Sequence, residues 1–215
     1  MSRKIDPKGT IEKILSVSAK LFTEKGYDKT SMQEIVEESG MSKGAIFHHF
    51  NSKEDILYSV ISKQFEKIEQ EVYEQIAKMQ GKTAKEKFEY LLENTFGDEE
   101  TNALGLIAEK TQSPPMIVAA MKDYVNKTAP ILSDLMKEGI EDGSITTEYP
   151  DECAQVFILL CDVWCDPVIF ESDTETLRKR MNFLQHLMKN LGVDIVSDSL
   201  IEKTLKFYEQ FYREG

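Results

Sequence analysis

Residues 30–55 read TSMQEIVEESGMSKGAIFHHFNSKED, and this stretch decides the fold. Ser31 followed three residues later by Glu34 is a capping box, in which each side chain satisfies a backbone N–H at the start of a helix. The helix it opens is short and carries Met32, Ile35 and Val36 on its apolar face. Gly40 stands where that helix must stop, because glycine adopts the left-handed C-terminal cap without steric cost. Ser42 then caps a second helix, Lys43 to Phe50, and Asn51 and Ser52 lead into a third through Ile56, Leu57, Val60 and Ile61. Two helices joined by a three- or four-residue turn containing glycine form the arrangement that lays one helix in the major groove of DNA.

Charge supports that use. The chain has 215 residues and a net charge of −12, yet no acid occurs between Glu38 and Glu54. Residues 1–57 hold nine Lys/Arg and nine Asp/Glu, so the whole deficit lies in the remainder, with 17 Lys/Arg against 29 Asp/Glu. An acidic body repels a polyanion, so only the N-terminal end can face DNA. The zero balance of that end also means that its phosphate contacts are local and few.

Helical periodicity dominates the rest. A first helix from about Gly9 to Lys25 sets Ile11, Ile14, Leu15, Ser18, Leu21 and Phe22 on one stripe. Arg3, Lys4 and Lys8 ahead of it form a basic arm or a frayed terminus. A long helix is expected from Ser52 to about Met79, then further helices at 84–96, 102–112, 115–139, 151–166, 174–191 and 198–213. Pro130 should kink or split the 115–139 segment, and Gly139 with Gly143 should end it. With 41% hydrophobic residues, no apolar run of the roughly 20 residues that a membrane span needs and no signal-peptide pattern, the expected location is the cytoplasm. Three cysteines fit reduced thiols. The fold class expected is all-α, with a helix-turn-helix domain over 1–57 and a larger helical domain over 58–215.

Two late segments carry heptad-like apolar seams: Leu177, Met181, Leu184 and Met188 in one, Phe157, Leu160 and Trp164 in the other. Doubled by a two-fold axis they would form a four-helix dimer interface; alternatively they cover their own core.

Thr30-Ser31-Met32, Gly40-Met41-Ser42-Lys43-Gly44, Phe47-His48-His49-Phe50 and Lys53-Glu54-Asp55-Ile56-Leu57 together resemble the head of a TetR-family transcriptional regulator. The resemblance covers about residues 9–60. It implies an all-helical homodimer that represses its operator until a small ligand enters the C-terminal domain. It further implies Thr30, Ser31, Lys43, Gly44, Ala45, His48, His49 and Lys53 as DNA-facing residues. Thr30 and Ser31 would donate to phosphate oxygens, Ala45 would meet a thymine methyl, and Lys43 would reach guanine acceptors or a phosphate. Where the family usually has tyrosine this chain has Phe47, expected to keep its ring in the core without a phosphate-bonding hydroxyl.

For the ligand, Asp162 and Asp166 lie four apart near Phe157 and Trp164, with Glu109, Met121 and Tyr124 as further lining. Carboxylates beside aromatics suit a cationic or aromatic compound, or form a solvated edge. Cys161 and Cys165 lack further ligands at metal spacing, so no metal or cofactor is expected. No phosphate-cradling loop, nucleophile elbow or HExxH motif suggests an enzyme. A DNA-binding protein of the same fold with no small-molecule ligand would need no internal cavity.

Overall fold

The computed structural model describes residues 7–95, 114–167 and 169–213. Among these residues every regular element is a helix, and none is long and apolar enough to cross a membrane. The elements are α1 (Pro7–Lys25), α2 (Met32–Ser39), α3 (Lys43–His49), α4 (Lys53–Lys78), α5 (Ala84–Thr95), α6 (Pro114–Asp123), α7 (Ala129–Asp142), α8 (Pro150–Leu159), α9 (Thr174–Asn190) and α10 (Asp198–Arg213). Two π turns, Tyr124–Thr128 and Leu160–Trp164, extend α6 and α8. The expected 102–112 helix, Arg3, Lys4 and Glu109 lie outside the described residues. The chain divides into two compact units: a head of Met1–Glu66 with Asn102–Ala119, and a body of Lys67–Thr101 with Ala120–Gly215.

In the head, the α1 stripe turns inward: Ile14, Leu15, Leu21 and Phe22 are buried against Ile35 of α2, Ile46 of α3 and Ile56 and Leu57 of α4. The core continues past residue 57 into Val60 and Ile61. Ser18 sits fully buried on the same stripe, its hydroxyl without a partner among the described residues. Ile35 and Ile46 are both wholly enclosed. Truncating such a side chain costs about 2–5 kcal/mol, so this shared core, more than the short helices' own propensity, fixes α2 against α3.

The body core gathers Phe88 of α5, Met136 of α7, Phe157 of α8, Leu177, Met181, Leu184 and Met188 of α9, and Leu205 of α10. Pro130 acts on the turn before it. Lacking an N–H and crowding the carbonyl four residues back, it is accommodated by the widened Tyr124–Thr128 turn, where the Ala129 N–H bonds the Tyr124 carbonyl. Gly139 does not end its helix as expected. It lies against Ile145, whose Cδ1 would stand 2.7 Å from an added Cβ, and α7 runs on to Asp142 before Gly143 caps it at φ 80°.

Candidate functional site

The helix-turn-helix is built by local side chain–backbone chemistry. Ser31 Oγ accepts from the Glu34 N–H at 3.2 Å, while Glu34 Oε2 accepts from the Ser31 N–H at 2.8 Å. Gly40 ends α2 in the left-handed region at φ 63°. Ser42 Oγ accepts from the Ala45 N–H at 3.2 Å and starts α3. At the far end Ser52 Oγ accepts from the Asp55 N–H at 3.0 Å, and the Asp55 carboxylate accepts from the Asn51 N–H at 2.9 Å. Each helix of the motif thus begins on a hydroxyl that satisfies an otherwise orphaned donor.

With Ile46 buried and Phe50 behind it, α3 presents Lys43, Gly44, Phe47 and His48 to solvent, one stripe at i, i+3 and i+4 spacing. Ala45 and His49 are half-buried at its margin. The His48 and His49 rings meet edge to face, 5.0 Å between centroids. Gly44 has ordinary helical backbone, and an added Cβ would meet nothing within 4 Å. Glycine in a helix is destabilising by roughly 0.5–1 kcal/mol relative to alanine, and neither backbone strain nor packing inside this protein demands it.

Three expectations are corrected. Phe47 is not in the core: it is 41% exposed, with the Lys43 ammonium 5.6 Å from its ring centre, because Ile46 and Phe50 already fill the inward side of so short a helix. Thr30 is 1% exposed, and its hydroxyl donates to the Gly26 carbonyl at 2.9 Å while its N–H bonds Tyr27, so it caps the end of α1 and has no donor for a phosphate. Lys53 folds back: its ammonium donates to the Tyr27 carbonyl at 2.6 Å and lies 4.1 Å from the centre of the Tyr27 ring. Burial lowers its pKa against the opposing pull of Asp28 and Glu34. Ser31 is exposed, but its hydroxyl and N–H are engaged by Glu34. Phe47 was missed as an outward residue, although its spacing from Lys43 and Gly44 was readable.

The dimer seam also needs correction. Phe157, Leu177, Met181, Leu184 and Met188 are each no more than 2% exposed and belong to the body's own core; Leu160 and Trp164 are half-buried against it. The apolar side chains left outside on these helices are Val156 and Phe183, with Tyr149 just before α8 and Leu191 just after α9. Phe183 meets Trp164 edge to face at 5.8 Å, and Arg180 lies over the Trp164 ring while donating to the Trp164 and Phe170 carbonyls at 3.0 Å each.

Of the expected ligand residues, Tyr124, Asp162 and Asp166 come together, joined by Cys161 and Tyr208. Burial, and then the neighbouring Asp166, push the Asp162 carboxyl up to about 7, opposed by a hydrogen bond with Cys161. Burial followed by the two aspartates raises the Tyr124 phenol well above its ordinary value, and the same groups in the other order raise Tyr208. Met121 is half-buried one turn before Tyr124. Phe157 faces the core, and Trp164 is occupied by Phe183 and Arg180. Tyr208 also borders a cleft of about 300 Å³ lined by Pro167, Asp173, Leu177 and Glu209. Burial raises both thiols, Cys165 to about 12, so they stay protonated and unreactive at neutral pH. Among the described residues no group of three or more His, Cys, Asp or Glu could hold a metal ion.

Residues 14–60 match the family model described as bacterial regulatory proteins, tetR family. The chain is 50% identical over 48 residues to the uncharacterized HTH-type transcriptional regulator YerO of Bacillus subtilis (strain 168), covering 22% of this chain and only 17% of that protein. It is 27% identical over 143 residues to the fatty acid metabolism regulator protein of the same organism, covering 61% and 69% of the two chains. Among solved structures, RolR in complex with resorcinol superposes with a TM-score of 0.64 at 18% identity, over 94% of this chain and 95% of that one, a likeness of fold.

Proposed function

By its DNA-binding domain this chain belongs to the TetR family of bacterial transcriptional regulators, and we propose that it binds a near-palindromic operator as a homodimer, represses from it, and releases it when a small molecule enters the body. The observation that supports the reading most is the outward stripe of α3: capped, acid-free, and carrying a glycine that nothing inside the molecule requires. A helix start without a side chain lets the backbone approach the base edges closely, and the N-terminal residues of a recognition helix are the ones that meet them. Lys43 and His48 supply the polar contacts from either side of Phe47, and Ala45 and His49 flank the stripe. Two heads about one duplex turn apart (~34 Å) read the two half-sites.

The partner copy is met through the apolar residues left outside on α8 and α9, Val156 and Phe183, with Tyr149 and Leu191 beside them. The inducer is a cationic or aromatic compound. Asp162 and Asp166 would neutralise its charge while Tyr124 and Tyr208 contact its ring, with Met121 adjoining. Such a compound weakens operator binding only by the margin with which it prefers the non-binding arrangement of the dimer.

The test is a footprint on the DNA upstream of the protein's own gene. The Lys43→Ala, His48→Ala double variant should lose protection there while sedimenting as the wild type does. Undiminished protection would overturn the assignment of α3.

A further inference from the structure

The outward ring of Phe47 has no part in the polar contacts assigned to Lys43 and His48. Side chains on a helix lean toward its N-terminus, so this ring leans over the first turn of α3. The 5.6 Å approach of the Lys43 ammonium to its centre shows that it does. That turn is bare: the space beside Gly44 holds no atom within 4 Å of where a Cβ would stand. Phe47 therefore lays an apolar disc beside the one part of the recognition helix with no side chain of its own, and 41% of it remains in water. It has no hydroxyl for a phosphate.

The hydrogen-bonding atoms of a base edge gain nothing from such a ring. The apolar group that the major groove offers is the 5-methyl of thymine. We propose that Phe47 is a specificity-determining residue that packs on a thymine methyl in each half-site. The proposal rests on the DNA-binding reading and deepens it. Ala45, the other small apolar residue of this helix, is half-buried at the stripe's margin, whereas the Phe47 ring stands on its exposed centre. Contact of the same ring with deoxyribose would add affinity without sequence information, and the two outcomes are separable.

The experiment starts from duplexes enriched out of a random-sequence pool by the full-length wild-type chain. Thymine is then replaced by uracil, which lacks only the methyl, one position at a time. At one symmetry-related pair of positions uracil should weaken wild-type binding roughly fourfold per methyl. The Phe47→Ala variant should bind thymine and uracil equally there, whereas Ala45→Gly should keep the wild-type discrimination. A thermal unfolding curve unchanged in Phe47→Ala would show that the head remains folded, as expected for an exposed ring. If thymine and uracil are equivalent at every position, or if Phe47→Ala weakens all duplexes alike and keeps the discrimination, the proposal is overturned alone. A pool that never enriches overturns the DNA-binding reading and the proposal with it.

Discussion

The Lys25 ammonium and the Glu34 carboxylate lie 2.9 Å apart, tying the last turn of α1 to the first turn of α2. The same carboxylate closes the capping box with Ser31. One acid thus carries two duties, and its proton affinity records both. The hydrogen bond from Lys25, and then that from the Ser31 backbone, hold the Glu34 carboxyl at about 2, against 4.5 for an unperturbed glutamate. A carboxyl depressed on folding contributes stability above its unfolded pKa and loses it as pH falls toward the folded one. The head should therefore lose this contribution between pH 4.5 and about 2. In Glu34→Gln, circular dichroism followed through acid titration should show a lower starting stability and a flatter decline over that interval. An acid profile identical to wild type would refute the dual role.

Gly44→Ala should separate folding from recognition. Alanine is the better helix former, and its Cβ finds open space, so the head should become more stable by up to about 1 kcal/mol. The methyl would occupy the approach to DNA and lower operator affinity roughly tenfold, about 1.4 kcal/mol. Paired thermal unfolding and gel-shift measurements check the opposite signs. A variant that gains stability and binds DNA unchanged would remove the glycine from the interface.

Asp162 gives the body a pH dependence of the other sign. Its carboxyl is raised from 3.8 to about 7 in the folded chain. The protonated form is the one folding favours, so this contribution is present below pH 3.8 and is lost as pH rises toward about 7. Asp162→Asn, which cannot ionise, should raise the thermal midpoint at pH 8 by more than at pH 5. Equal shifts at both pH values would show that burial of the charge is not what strains the site.

For association, Val156→Asp with Phe183→Asp places charge on side chains that are 39% and 53% exposed in the isolated chain. Sedimentation should show the pair variant as a monomer with wild-type helical content. The same test at Leu184, which is fully enclosed, should unfold the body instead.

What could be read without coordinates was chemistry that closes within a few residues. The Ser31–Glu34 box, the left-handed Gly40 and the Ser42 cap are each complete within four positions, and each stands as the sequence implied. The disturbance at Pro130 was legible for the same reason, though its form, a widened turn just before it, was not. The errors come from distance along the chain. Lys53 meets a carbonyl 26 residues earlier, and Thr30 spends its hydroxyl on the end of α1. No local pattern announces either. The α9 seam failed differently: periodicity identifies which face is apolar, but not whether the chain's own α7, α8 and α10 or a second copy will cover it.

The widened turn at Leu160–Trp164 carries one residue more than a regular helix would place there, closed by the Cys165 N–H on the Leu160 carbonyl at 2.9 Å. Deleting a single residue inside it would let the turn relax into ordinary α geometry and swing everything beyond by about 100°. Asp166 would then leave the side of Tyr124, and the carbonyls now held by Arg180 would face elsewhere. A lineage that lost this residue would inherit the same apolar pattern around a rephased interior, and with it a different chemical appetite.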